Sequence, residues 1–214
     1  MPLKLFFDLE EQGFWSETNP LNYSVFYLES LDTRKISGNL YYPTSDEIYN
    51  KCEGNFVSKN FNGRCKLYMK NGANYDGNFQ NGFENFKGTY RPDSGVSDIT
   101  YLLCEMVHQK IEGDVKVLYK NMDVYQGTLE NFVADGFGQY YYSNDNDKYL
   151  HYKGEFHEGK IHGTGVMYYK NNCVYEGEWA NGKNSGFGIM TFPTGSEYEK
   201  YEGNFLNDQF HGNG

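Results

Sequence analysis

YKGEFHEGKIHGTGVMYYKNN (152–172) and YEGEWANGKNSGFGIMTFPTG (175–195) are two copies of one pattern. With the first Tyr counted as offset 0, Gly stands at offset 2, an aromatic at 4, Gly at 7, 11 and 13, and an aromatic at 17. Side chains alternate between the two faces of a strand. Offsets 0, 2 and 4 therefore share a face, and offsets 11, 13 and 17 are expected to share one on a second strand. Glycine between aromatics weakens an ordinary strand, but here it leaves space for a ring from the neighbouring strand. Gly or Asn in the loops supplies positive φ. Each copy reads as a β-hairpin that leads straight into the next, with strands near offsets 0–5 and 10–18. Trp179 is expected to point inward. Glu178 should point outward, where its loss should matter little.

The frame extends in both directions. Units begin at Val25, Cys52, Tyr75, Leu102, Tyr125, Tyr152, Tyr175 and Tyr201. Offset 4 is then Glu29, Phe56, Phe79, Met106, Leu129, Phe156, Trp179 and Phe205. Offset 13 is Gly38, Cys65, Gly88, Val115, Gly138, Gly165, Gly188 and Gly214. The units at Val25 and Leu102 have lost most of the pattern and are placed by spacing as much as by residue type.

YEGEW followed by Gly at offsets 7, 11 and 13 resembles the MORN repeat, closely over residues 50–214 and weakly over 25–49. The Gly-aromatic hairpins of choline-binding repeats differ in motif and period. The resemblance implies an all-β fold, an elongated single-layer solenoid of consecutive antiparallel β-hairpins. About seven to eight units would occupy residues 25–214, the last one incomplete. It also implies a part in organising membranes or cytoskeleton. MORN units occur in junctional membrane proteins, ciliary radial spokes and division-ring scaffolds, and as accessory regions of phosphoinositide kinases and a lysine methyltransferase.

Unit starts are separated alternately by 27 and 23 residues, with 26 at the last step. The repeating object is thus a pair of hairpins, and the extra residues fall in every second connection. Those connections are PTSDEIYNK (43–51), DSGVSDITY (93–101), SNDNDKYLH (143–151) and PTGSEYEK (193–200). Each brings acids and a Tyr: Asp46, Glu47 and Tyr49; Asp93, Asp98 and Tyr101; Asp145, Asp147 and Tyr149; Glu197, Tyr198 and Glu199. Equivalent loops of a solenoid share an edge and should recur about every 19 Å. They read either as a docking comb for a basic or repetitive protein partner, or as solvated turns that tolerate insertion.

Residues 1–24 leave the frame. LFFDLEEQGFW (5–15) reads as a cap on the first hairpin or as a partner-binding tail, and any helix is expected there. The final unit, YEGNFLNDQFHGNG, reaches only offset 13. Its edge, with Tyr201 and Phe205, is expected either to pair with a second copy in a homodimer or to continue into further residues.

The chemistry of the chain points away from catalysis. With 19 Lys and Arg against 29 Asp and Glu, the net charge of −10 disfavours nucleic acid as a partner and also simple docking on anionic lipid. The cysteines (52, 65, 104 and 173) have no CxxC spacing and read as reduced thiols inside the repeat frame. His162 and His211 stand at offset 10, as repeat residues. Asn144–Asp147 lacks the Gly and distal Glu of an EF-hand loop, and no phosphate-cradling Gly motif occurs. No catalytic, metal or cofactor residue is therefore expected. The expected function is a non-catalytic protein-interaction scaffold of cytoskeletal or ciliary assemblies in the cytoplasm. The alternatives are the targeting segment of a larger enzyme, of kinase or methyltransferase type, and a membrane-tethering module.

Overall fold

The computed structural model describes residues 25–28, 36–42, 48–57, 60–82, 84–93, 95, 97–108, 110–212 and 214. The expectations for residues 1–24 and for Asp46 and Glu47 lie outside these. The chain divides into two compact units, Met1–Glu112 and Gly113–Gly214. The first holds β1 (Val25–Leu28), β2 (Ile36–Tyr41), β3 (Tyr49–Val57), β4 (Asn60–Met69), β5 (Asn74–Gln80), β6 (Asn85–Arg91), β7 (Ile99–Val107) and the start of β8 (Lys110–Tyr119). The second holds the rest of β8, then β9 (Val124–Glu130), β10 (Val133–Tyr141), β11 (Tyr149–His157), β12 (Lys160–Tyr169), β13 (Val174–Ala180), β14 (Lys183–Thr191), β15 (Lys200–Leu206) and β16 (Gln209–His211). In each unit the strand order across the sheet is the order along the chain, with antiparallel neighbours. No helix occurs among the described residues. This is the expected all-β succession of hairpins.

Two details of the hairpin differ from the expectation. The turn is tighter: offsets 6 and 7 both have positive φ, as in Asn181 (51°) and Gly182 (80°) or Glu158 (48°) and Gly159 (76°). Such a two-residue turn matches the twist of the strands. The second strand therefore starts at offset 8 (Lys160, Lys183) rather than 10. Offset 11 also leaves the face it was expected to share with 13. Gly177 pairs with Gly188 but Trp179 pairs with Asn184, so β14 bulges between those pairs. Gly186 takes φ 71° in the bulge, and a Cβ there would lie 2.5 Å from the Glu178 carboxylate on the outer face. The inward positions of the second strand are thus 9, 13 and 15. In the unit at Tyr75, Phe86 stands at offset 11, the bulge is absent, and Phe86 pairs directly with Phe79.

The register aligns the glycines at offsets 2 and 13 into a row. In the second unit it runs through the pairs Gly127–Gly138, Gly138–Gly154, Gly154–Gly165, Gly165–Gly177, Gly177–Gly188 and Gly188–Gly203. The Tyr at offset 0 lies over this row. A Cβ on Gly138 would come within 2.6 Å of the Tyr125 ring, and one on Gly188 within 2.6 Å of the Tyr175 ring. The phenol crosses the glycine pair and donates to the carbonyl at offset 3. The bonds are Tyr125 to Thr128 (2.7 Å), Tyr152 to Glu155 (3.1 Å), Tyr175 to Glu178 (2.9 Å) and Tyr201 to Asn204 (3.1 Å). Burial raises the pKa of Tyr125, Tyr152 and Tyr175, which keeps them neutral donors. The aromatic at offset 4 then meets two tyrosines edge-on. Tyr125, Phe156, Tyr152, Trp179, Tyr175 and Phe205 form a chain of T-shaped contacts with centroids 4.8 to 5.5 Å apart.

In the unit at Leu102 the Tyr is missing and both glycines are gone. Leu102 replaces the ring, and Cys104 and Val115 stand in the glycine row; all three are buried. In the unit at Cys52, the buried Cys52 and Cys65 replace the Tyr and the glycine at offset 13, while Gly54 stays. A ring over glycine and an aliphatic or thiol beside a small side chain fill the same space. All four cysteines are free, and burial pushes the Cys104 thiol up to about 11.

Candidate interaction surface

Among the described residues, the long connections turn most of their acids out and most of their tyrosines in. Tyr149 is half-buried, its ring 5.1 Å from Tyr142 and 5.7 Å from Tyr169, and the Lys148 ammonium lies 4.8 Å from its ring centre. Tyr49 packs on Tyr42 at 5.2 Å. Tyr101 is half-buried, with the Arg91 guanidinium 5.8 Å from its ring centre. Tyr198 alone of the four is well exposed, at 65%. Asp98, Asp145, Asp147, Glu197 and Glu199 are exposed, while Asp93 is half-buried and caps its own loop by accepting the Gly95 N–H at 3.1 Å.

The connection after β10 is tied down from beneath. Asp123, buried in the turn after β8, accepts the Ser143 N–H (2.7 Å), the Tyr140 hydroxyl (2.7 Å) and the Asn121 amide (2.8 Å). Lys170 donates to the Asn144 carbonyl at 2.8 Å, and Asn146 accepts the Tyr149 N–H at 2.7 Å. Asp145 and Asp147 are thus held out by a fixed loop. Tyr201 and Phe205, expected at an oligomer edge, lie in the ring chain of their own molecule. Phe205 is buried against Tyr175 (4.8 Å) and Phe210 (5.4 Å), and the Tyr201 ring lies tilted against Phe210 at 4.2 Å.

The outer face of the second unit carries a row of aromatics that lies outside the glycine-aromatic motif. Tyr141, His151 and Tyr168 pair across β10, β11 and β12 and stack nearly parallel, with centroids 4.4 and 5.5 Å apart and planes within 9°. Val124 and Val174 continue the row on either side. Burial, with Lys153 nearby, lowers the His151 pKa and keeps the imidazole neutral between the phenols. Phe137 and Phe187, both about half exposed, stand on the same face. Such apolar groups facing water are what a docking surface presents. A residue-by-residue count of offsets could have found this row, since −1 and 16 pair.

The same face explains the acid at offset 3. Glu155 accepts both the N–H (2.9 Å) and the hydroxyl (2.7 Å) of Thr164, and those bonds lower its pKa. Glu178 accepts the Phe187 N–H at 3.0 Å. Each carboxylate covers a backbone donor exposed by the bulge at offset 11. Glu178 points outward as expected, but it has a structural partner there. Elsewhere Asp135 accepts the Glu158 N–H and faces His157, both at 3.1 Å, and its pKa falls, chiefly through the Glu158 N–H. Among the described residues no group of three His, Cys, Asp or Glu is arranged to hold a metal, and no helix is long and apolar enough to cross a membrane.

Comparison with known families matches the MORN repeat at residues 75–96, 125–146, 152–174, 175–197 and 201–214. The chain belongs to the MORN-repeat family. The five MORN matches begin at the Tyr of five units of the frame. A search of curated proteins found no match. The units at Cys52 and Leu102 fall outside the MORN matches, yet they keep the register, with Gly54 opposite Cys65 and Val115 opposite Gly127. In this MORN array the packing geometry outlasts the motif.

Proposed function

We propose that this MORN-repeat protein is a non-catalytic protein-interaction scaffold of cytoskeletal or ciliary assemblies. MORN repeats are protein- and membrane-interaction repeats, and the outer face of the second unit supports the protein side of that description. The observation that carries the reading is the Tyr141–His151–Tyr168 stack, flanked by exposed Phe137 and Phe187 on a rigid sheet. These aromatics lose little conformational entropy when a partner covers them, because the register and the stack already fix them. The net charge of −10 favours a basic protein partner over an anionic bilayer. The exposed Asp145, Asp147, Glu197 and Tyr198 of the same unit would flank such a partner, while Tyr149 braces the loop that carries Asp145 and Asp147. The cytoskeletal or ciliary setting follows the habit of the family.

The test is affinity capture of the 1–214 chain from ciliated cells, beside a Tyr141→Ser/Tyr168→Ser variant. Cytoskeletal or axonemal proteins should be enriched by the first and lost with the second. Enrichment only of lipid vesicles, or an identical set on both baits, would reject the proposal.

A further inference from the structure

One cavity lies on the inner face of the second unit. It is open to solvent and has a volume of about 510 Å³, the size of a small-molecule or side-chain site. Tyr169, Met190, Phe192 and Phe205 are among its apolar walls, and Asn184 and Cys173 are among its polar groups, with Asp147, Asp208 and Lys148 as charged ones. In the preceding pair of hairpins the matching place is filled. Tyr140 stands there instead of Met190, its ring 4.8 Å from Tyr142 and its hydroxyl 2.7 Å from Asp123, which occupies the position of Cys173. Replacing Tyr and Asp by Met and Cys removes that polar bridge and leaves space open.

The third difference at this place is Asn184, where the earlier hairpin has Ala134. Asn184 is only 2% exposed, and in the inward row at offset 9 its neighbours are apolar. Its backbone N–H is satisfied by Asp208 at 2.8 Å, and its side-chain amide meets the Tyr169 hydroxyl. The amide oxygen, however, has no hydrogen-bond partner. Turning the amide over only exchanges an orphaned acceptor for an orphaned donor. A buried polar group without a partner is unfavourable, and the Asn184 that carries it lines the aromatic cavity, where a ligand's polar hydrogen would satisfy it.

We infer that this cavity receives an aromatic side chain bearing an N–H or O–H, a Trp or Tyr, presented by a basic segment of a protein partner. The ring matches the walls and its polar hydrogen meets Asn184. The basic character follows from charge complementarity. The second unit has eight basic and fourteen acidic residues, and the cavity is bordered by two acids, Asp147 and Asp208, against one cation, Lys148, whose ammonium lies over the Tyr149 ring. This inference rests on the protein-interaction reading above, and it names a separate anchor point.

Cys173 provides the readout, because it borders the cavity and is half-buried, whereas Cys52, Cys65 and Cys104 are buried. Alkylation of Cys173 by iodoacetamide in the 1–214 chain would be followed with and without the tripeptides Lys-Trp-Lys and Lys-Leu-Lys. Lys-Trp-Lys should slow the reaction several-fold, and Lys-Leu-Lys should not. Asn184→Ala, the residue of the earlier hairpin, should weaken the Trp peptide about tenfold, as loss of one hydrogen bond implies. Met190→Tyr should fill the cavity, protect Cys173 by itself and abolish the effect of either peptide. No protection by Lys-Trp-Lys, equal protection by Lys-Leu-Lys, or unchanged protection in both variants would overturn the inference. If captured proteins were the same for wild type and Met190→Tyr, the cavity would fall as an anchor while the scaffold reading stood. If wild type captured none, the scaffold reading would fall and the peptide result would still judge the cavity.

Discussion

Trp179 is where the packing argument is most exposed to test. It is 4% accessible, lies edge-on to Tyr152 (5.5 Å) and Tyr175 (5.1 Å), and donates its indole N–H to the Gly165 carbonyl at 3.2 Å. Burying an aromatic of roughly 150–250 Å² contributes about 4–6 kcal/mol gross. Truncation of a buried Trp to Ala costs about 3–5 kcal/mol. The lost hydrogen bond and two edge-to-face contacts place Trp179→Ala toward the upper end, about 4–5 kcal/mol. Trp179→Phe keeps a ring where other units have Phe79, Phe156 and Phe205, so it should cost about 1–2 kcal/mol. Denaturation followed by far-ultraviolet circular dichroism measures both, and hydrogen exchange locates the damage. Because repeats share only nearest-neighbour contacts, protection should fall first in β11–β14. Trp179→Ala with a midpoint no lower than that of exposed Glu176→Ala, or with equal loss of protection in β4–β6, would refute the reasoning.

Gly165→Ala should destabilise strongly, because its Cβ meets the Tyr152 ring. The loss should be partly recovered by Tyr152→Leu, since this chain already combines Leu102 with Val115; additive effects in a double-mutant cycle would contradict that coupling. Glu178→Ala should cost about 1 kcal/mol through the Phe187 N–H it leaves bare, against under about 0.5 for Glu176→Ala, as chemical denaturation would show. Acid should destabilise the fold through Glu155, whose folded pKa lies below the ordinary 4.5 because Thr164 bonds its charged form. A depressed carboxyl stabilises above the unfolded pKa and loses that contribution as the pH falls through the folded one. Melting temperatures between pH 5 and 3 should accordingly drop, and drop less in Glu155→Gln; parallel curves would remove Glu155 from the account.

Much of this hairpin could be read in the residues because each glycine had a separate physical reason. Offset 7 needs positive φ for the turn, and offsets 2 and 13 make way for a ring. Offset 11 misled, since strict alternation placed Gly163 and Gly186 inward, and only the bulge shows that they face the carboxylates at offset 3. The bulge also moved the inward position to offset 9, where Ala134, Ile161 and Asn184 share no residue type that a pattern search would notice. The tyrosines of the long connections looked like surface groups because they sit in insertions. Tyr49 and Tyr149 are instead drawn inward by Tyr42 and Tyr142, the aromatics at offset 17. The Tyr141–His151–Tyr168 stack joins three strands, and no local pattern in any one of them announces it.

The account depends most on the tyrosine ring that lies across each glycine pair, since that contact fixes the register on which both surfaces rest. Proton NMR of the 1–214 chain tests it directly. The Hα resonances of Gly138, Gly165 and Gly188 should be displaced upfield by ring current and give cross-relaxation to Tyr125, Tyr152 and Tyr175, and the shifts should vanish in the matching Tyr→Leu variants. Glycine Hα resonances at unstructured positions, with no contact to those rings, would contradict it.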